Sequence, residues 1–516
     1  PHVTFTPVDN NFQNIIQTHD LTFSFGSQLV LKSINMEIRE GSIFGFLGPN
    51  RAGKSTTIKT HLGFLHISPG MIHIFGRELN ANKIYIHKRI GTMVKLLITL
   101  ALLFFVLKSG ATSITVSGNV NGNWTADTII VEGNLVIQPG ELLVISPGTL
   151  VQFQSYYRID VQGRILAQGA EGDSILFTIR DTSNFYAQNQ GRGGWSGIRF
   201  RQTASSEDTS VFSYCRFEFS KATEDSANCF GGAIFAHESN KLRIDNCLFY
   251  HNYSFYSGGA IYLNTSDALI ENCIFIENYS GNTGIVYGYG GGICSMNGSP
   301  GITNNEFYKN TSTGVGGAVS FDKGNPVFSN NIMQYNYSAL GGALGVLRSG
   351  PACTMSNNMV TNNSALFFGG GICCIRSFPV FSNFTVSDNS AAYAGGFYCN
   401  DSASPAMYNS IIWGNSGFGP SVYIWDVFSA PSFYYCNIEG DTSGFEGSGA
   451  HMGYHGQYLN NKNENPEYIG TSPFPFQLLA SSPCINTGDP DAALLPCLPP
   501  TCLLYTSPSP RDYCAH

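Results

Sequence analysis

The sequence predicts a mainly β chain whose short strands stack as a solenoid, on three observations. First, from about Ser206 to Gly440 one phrase recurs. It reads Asn246-Cys-Leu-Phe249-Tyr-His-Asn252 then Gly258-Gly259-Ala260-Ile261, and again Asn272-Cys-Ile-Phe275-Ile-Glu-Asn278 then Gly290-Gly291-Gly292-Ile293. It continues through Phe307…Asn310 with Gly316-Gly317-Ala318-Val319, Met333…Asn336 with Gly341-Gly342-Ala343-Leu344, and Met359…Asn362 with Gly369-Gly370-Gly371-Ile372. Val386…Asn389 with Gly395-Gly396-Phe397 and a last Ile412…Asn415 close the series. The Asn positions lie 26, 32, 26, 26, 27 and 26 residues apart, and a fixed period of this size marks a repeat architecture. Second, apolar residues within a unit alternate in short runs, such as Ala260 and Tyr262, which is strand spacing. Third, 58 Gly and only 12% charged residues suit a turn-rich β solenoid rather than a coiled coil or a disordered chain.

If each unit forms one coil of about three strands, coils stack at roughly 4.8 Å and equivalent residues lie above one another. The repeated Asn then predicts a ladder of side-chain hydrogen bonds. The Gly pair predicts a backbone bend that a Cβ would obstruct. With this phrase the sequence resembles right-handed parallel β-helix proteins, and its GGA[ILV] and FxxN motifs are similar to those of polymorphic outer-membrane proteins and related bacterial surface β-helices of the pectate-lyase-like type. That fold hosts adhesins, lyases and hydrolases alike.

The opening of the chain differs. Residues 1–92 carry nine Lys/Arg against five Asp/Glu, whereas the formal net charge of the whole is −8, and all 14 Cys follow residue 200. Gly48-Pro-Asn50-Arg-Ala-Gly53-Lys54-Ser55 has P-loop spacing, with an apolar strand, Ile43 to Leu47, before it and a helix start at Thr56 and Thr57 after it. Backbone amides of such a loop cradle phosphates, Lys54 reaches the β and γ phosphates, and the Ser55 hydroxyl binds Mg²⁺. With Leu31 to Ile38 and Gly70 to Gly76 around it, this stretch resembles the start of an ABC-transporter ATPase subunit. The resemblance implies Phe25 against adenine, and Gly48, Asn50, Gly53, Lys54, Ser55 and Thr56 around ATP phosphates and Mg²⁺, with Ser55 as metal ligand. It stops near Ile90 to Thr92, and no LSGGQ-type signature, strand ending in Asp-Glu or switch His follows, so hydrolysis is not expected of a truncated α/β P-loop fragment.

Met93-Val-Lys95, the apolar run Leu96 to Leu107 and the small residues to Ser113 read as a secretory signal peptide, with cleavage after Ala111. The run is well short of the roughly 20 residues that span a membrane. The segments expected are therefore an ABC-type fragment at 1–92, a signal-like segment at 93–113, opening coils at 114–205 and repeat coils at 206–440. A closing segment at 441–492 and a tail at 493–516 that resembles translated adapter sequence complete the chain, which reads as a chimera joined at Thr92 and Met93.

Candidate chemistry in the coils is thin. Asp245 and Glu271 fall at equivalent places in successive coils, as do Arg348 and Arg376, and solvated faces explain both pairs better than a carboxylate site does. His237 and His251 are the histidines of the repeats. Cys215, Cys247 and Cys273 share one position, as buried small residues or as bridging thiols. Tyr253, Tyr279 and Tyr337 each follow a ladder Asn, facing either a sugar or the core. No basic cluster interleaved with aromatics suggests nucleic acid. The expected function is a secreted or cell-surface binding module for glycan or cell surfaces; a polysaccharide lyase or hydrolase, and an ABC ATP-binding protein, are the alternatives.

Overall fold

A computed structural model describes residues 14–25, 28–39, 57, 60–61, 71–79, 82, 112–187, 190–201, 203, 207–223, 228–282, 288–470 and 475–489. The chain divides into two compact units, one within residues 1–110 and one that begins at residue 111.

In the first unit, strands Asn14–Phe25 and Gln28–Arg39 form an antiparallel pair, and Ile72–Ile74 with Arg77–Glu78 extends it into a four-stranded sheet. Leu21, Leu31, Ile72, Ile74 and Leu79 are its buried core. Thr57, Thr60 and His61 are helical, and the His61 ring bridges Thr57 O and Thr18 Oγ1 at 2.7 Å each.

The second unit is a right-handed parallel β-helix. One coil shows the pattern: Ile261–Asn264, a turn, Leu269–Glu271, a bend, Ile274–Ile276, a second bend, and the two-residue strand Tyr279–Ser280. Each pairs in parallel with its counterpart a coil later, at Ile293, Gly301, Glu306 and Thr311. The coil thus has three long faces, as expected, and a short fourth. Thr112 and Ser113 already belong to the opening coil, where Thr112 N donates to Asp127 and Ser113 pairs with Thr128. The closing segment folds back: Tyr458–Leu459 adds a last rung beside Ser432–Tyr434, while Leu478 and Cys484 bury against Ile411.

The repeated Phe fills the interior. Phe177, Phe217, Phe249, Phe275 and Phe307 stack with centroids 5.0, 4.8, 4.8 and 4.7 Å apart and planes within 9° of parallel. Each is buried, a contribution of about 1.5–3 kcal/mol. The bends follow from conformation. The residue before each ladder Asn has positive φ in successive coils, at His251, Glu277, Lys309, Tyr335, Asn362, Asp388 and Gly414, and so has Phe219, before Ser220, one coil earlier. A second bend, from Asn246, Asn272 and Asn304 through Asn409, uses Asn throughout, a residue that after glycine enters the left-handed region most readily.

The ladder runs Asn252, Asn278, Asn310, Asn336, Asn363, Asn389, Asn415, each Nδ2 donating to the next Oδ1 at 2.8–3.0 Å. Its fifth rung is Asn363, which corrects the reading of Asn362. Met333 pairs with Val360, so Val360 is the core residue, Met359 faces outward and Asn362 sits at the bend with φ 58. A one-residue slip exchanges the two faces of a strand, and two adjacent Asn concealed it. A second ladder went unforeseen: Asn305, Asn331 and Asn358 bond in the same way, at 3.0 Å per rung.

Cys215, Cys247 and Cys273 occupy that second position in earlier coils. Cys215 N and Cys247 N donate to the next Sγ at 3.4 Å, and Cys273 N passes to Asn305 Oδ1 at 2.8 Å. All eleven described cysteines are buried and unbridged. Burial raises the thiols of Cys247, Cys273, Cys374 and Cys399 well above their ordinary value, which suppresses the reactive thiolate. Site-resolved mass spectrometry after iodoacetamide treatment at neutral pH is expected to find these four unlabelled in the native protein and labelled after denaturation. Native labelling at any of them would show that coils open readily.

Candidate functional site

Of the residues expected around nucleotide, Phe25 ends the strand Asn14–Phe25, opposite Gln28. Gly48, Asn50, Gly53, Lys54, Ser55 and Thr56 lie outside the described residues, as do residues 93–111 of the signal-like segment.

In the β-helix, Asp245 and Glu271 do stack in register, but Arg243 engages both, at 3.1 and 3.7 Å, and Ser213 Oγ donates to Asp245 at 2.6 Å. Arg348 pairs with Asp322, and Arg376 with Asp401 at 2.6 Å. His251 Nε2 lies 3.1 Å from Glu277, and burial lowers its pKa. These charged groups therefore engage one another, with Asp245 and Asp322 buried and their arginine partners half exposed. Among the described residues no group of three His, Cys, Asp or Glu side chains could hold a metal ion, and no helix is long and apolar enough to cross a membrane.

Tyr253, Tyr279 and Tyr337 share one register of the fourth face but form no continuous exposed row. Tyr253 is buried and stacks on Tyr279 at 5.7 Å, Thr311 stands between Tyr279 and Tyr337 in the ladder, and Tyr337 is exposed.

The exposed aromatic surface lies elsewhere, on the fourth face of later coils. There the two-residue strands lengthen to Tyr337–Leu340, Ser364–Phe368, Ser390–Tyr393 and Ser416–Phe418. Their last residues stand in register, Leu340 beside Phe368, Phe368 beside Tyr393, Tyr393 beside Phe418. The row continues onto the first long face through Tyr398 and its partner Tyr423, and Trp425 follows. Phe368 stacks on Tyr393 at 5.1 Å and on Tyr398 at 4.6 Å, and meets Trp425 edge-on at 5.2 Å. Tyr393 lies 5.9 Å from Phe418, again edge-on. Mutual packing fixes these rings, yet Tyr393, Phe418 and Trp425 remain 41%, 57% and 47% exposed, with Leu366 and Phe367 exposed beside them.

The rim is polar. Asp426 accepts from Asp401 N at 2.7 Å and Ser429 Oγ at 2.8 Å, and Glu446 pairs with His451 at 3.0 Å. Burial, joined by Tyr393 and Glu446, raises the Tyr423 phenol, which therefore stays a hydrogen-bond donor at neutral pH. Rings that already fill the space between them make a platform rather than a cavity. One signal was readable beforehand: the residue just before each Gly pair runs Tyr289, Val315, Leu340, Phe368, and then Tyr393 and Phe418 at the same register.

Residues 178–339 and 228–378 match the right-handed β-helix region family, and residues 31–101 match the ABC transporter family, nine residues past Thr92. The bacitracin transport ATP-binding protein BcrA of Bacillus licheniformis is 46% identical over 81 residues, 16% of this chain and 26% of that protein. An uncharacterized ABC transporter ATP-binding protein of Bacillus subtilis, YhcH, is 32% identical over 83 residues, 16% of this chain and 27% of that one. This chain spans about a quarter of the length of these curated relatives. Among solved structures, a mannuronic-acid-specific polysaccharide family 6 lyase from human gut microbiota matches over 69% of this chain and 86% of its own, at 12% identity and a TM-score of 0.26. The chain is thus two-part, an ABC-type ATP-binding segment followed by a right-handed parallel β-helix.

Proposed function

We propose that the β-helix is an exported binding module for glycan or cell surfaces and that the platform of Phe368, Tyr393, Phe418, Tyr423 and Trp425 is its contact surface. The observation that carries this reading is the coexistence of tight ring packing with exposure. Large apolar side chains held rigidly in water mark interaction sites, and rigid rings lose little conformational entropy on binding. Aromatic faces are electron-rich, so the C–H faces of sugar rings stack on them, while the carboxylates and carbonyls at the rim accept from hydroxyls. The runner-up, a lyase or hydrolase, would draw on acids that Arg243, Arg348 and Arg376 already engage.

The first unit, in this proposal, retains a phosphate-binding loop at Gly48 to Thr56 that takes ATP with Mg²⁺ at Ser55 and leaves it intact.

Binding of the purified chain to immobilised neutral polysaccharides and to bacterial cells tests the main reading. Phe418→Ala with Trp425→Ala should weaken binding roughly thirtyfold, from about 1 kcal/mol per ring, with coil stability unchanged. Undiminished binding by the double variant would discard the platform, and absence of binding by the parent chain would discard the function.

A further inference from the structure

With the aromatic platform taken as the contact surface, the charge around it narrows the kind of glycan that it fits. Between Arg348 and Lys462 the chain carries one basic residue, Arg376, against six acids, Asp388, Asp401, Asp426, Glu439, Asp441 and Glu446. Asp401, Asp426 and Glu446 border the platform. Arg376 pairs with Asp401 at 2.6 Å, and His451, a cation only when protonated, meets Glu446 at 3.0 Å. The partners of Asp426 are neutral: its Oδ1 accepts from Phe428 N at 2.9 Å, and its Oδ2 from Asp401 N at 2.7 Å and Ser429 Oγ at 2.8 Å. Burial pushes the Asp426 carboxyl up, but bonds from Ser429, Phe428, Asp401 and Ser402 outweigh it and hold the group below its ordinary value. Asp426 is therefore a carboxylate at neutral pH.

Its place is between exposed rings. Trp425, 47% exposed, precedes it, and Phe428, 75% exposed, follows two residues on. On the other side of the platform Glu446 bridges to Tyr423 in the sheet, and a Cβ on Gly419, next to Phe418, would lie 2.5 Å from the Glu446 Cβ and 3.3 Å from Tyr423 Cδ2. Aromatic faces carry negative charge density and attract cations, and a carboxylate beside them adds to the attraction. An ammonium group gains from both, whereas a uronate or sulfate gains from neither.

We infer that the platform takes glycans built of hexosamine units with free amino groups, a protonated amine lying at Asp426 beside Trp425 and Phe428 while sugar rings stack on Tyr393 and Phe418. The inference rests on the platform reading and can fail without it.

Calorimetric titration of the full chain with a glucosamine hexamer, its N-acetylated counterpart and hexagalacturonate, in mildly acidic buffer where the amines are protonated, tests it. The amine hexamer should bind about tenfold more tightly than the acetylated one, and hexagalacturonate more weakly than either. Asp426→Asn should bring the two hexosamine ligands within about twofold of each other, with circular dichroism to confirm folding. If that variant does not fold, Phe428→Ala decides, and should reduce the preference about threefold. Equal binding of both hexosamine ligands by the parent, lost in the Phe418→Ala, Trp425→Ala double variant, would overturn the amine and leave the platform standing. A preference that persists in Asp426→Asn, equally tight binding of hexalysine, or binding of neither hexosamine ligand would overturn the inference as well.

Discussion

Asn310→Ala is expected to destabilise the β-helix by about 3–6 kcal/mol. The Asn310 side chain is fully buried and fully used. Its Oδ1 accepts from Asn278 N at 3.1 Å and Asn278 Nδ2 at 2.8 Å, and its Nδ2 donates to Phe275 O at 2.9 Å and Asn336 Oδ1 at 3.0 Å. Alanine leaves two donors of Asn278 and the Phe275 carbonyl without these partners, in a place water does not reach. Each orphaned buried group costs about 1–3 kcal/mol. The loss is greater than that of one isolated amide because the rungs form a chain. Urea unfolding of the variant and its parent measures the difference. Asn362→Gly serves as the comparison: this Asn lies at a bend with φ 58, outside the ladder, and glycine accepts that conformation, so its midpoint should barely move. A cost below about 1 kcal/mol for Asn310→Ala would remove the ladder from the account of stability.

Gly317→Ala should be as damaging, by about 3 kcal/mol or more, for a different reason. A Cβ on Gly317 would lie 2.2 Å from Gly342 O and 2.6 and 2.7 Å from Tyr337 O and N. All three are backbone atoms of the neighbouring coil, so relief requires coils to move apart rather than a side chain to turn. The same crowding recurs a coil away in both directions, with Gly291 placing a Cβ 2.3 Å from Gly317 O and Gly342 2.2 Å from Gly370 O. The first Gly of each pair has another duty, φ between 59° and 72° from Gly231 to Gly369. The bend expected of the pair is thus divided: one glycine turns the chain and the other lets coils approach. Gly350→Ala, with no atom within 4 Å of the new Cβ, should leave the unfolding midpoint near that of the parent. If both variants unfold alike, coil spacing does not depend on these glycines.

The candidate site was less readable than the fold. Asp245 with Glu271, and Arg348 with Arg376, were correctly placed at equivalent positions, but their partners Arg243, Asp322 and Asp401 could be assigned only in three dimensions. Tyr253, Tyr279 and Tyr337 share a repeat position without sharing an environment, because the surrounding loops differ from coil to coil. The platform draws its rings from four coils and two faces, so no contiguous stretch announces it.

What the sequence determined by itself is the solenoid: its period, its Asn ladder, its glycine bends, its Phe core and the change of character between the first unit and the coils. Such features are legible because stacking places the same residue type in the same environment every 26 residues or so, and a local chemical requirement met many times leaves a periodic trace. Only the tertiary structure decided that Asn363 rather than Asn362 is the rung, that the cysteines prolong a second ladder, that charges pair off, and which aromatics reach water. Those outcomes depend on strand register and on which loop covers which face, and both are set by contacts between residues a full coil or more apart.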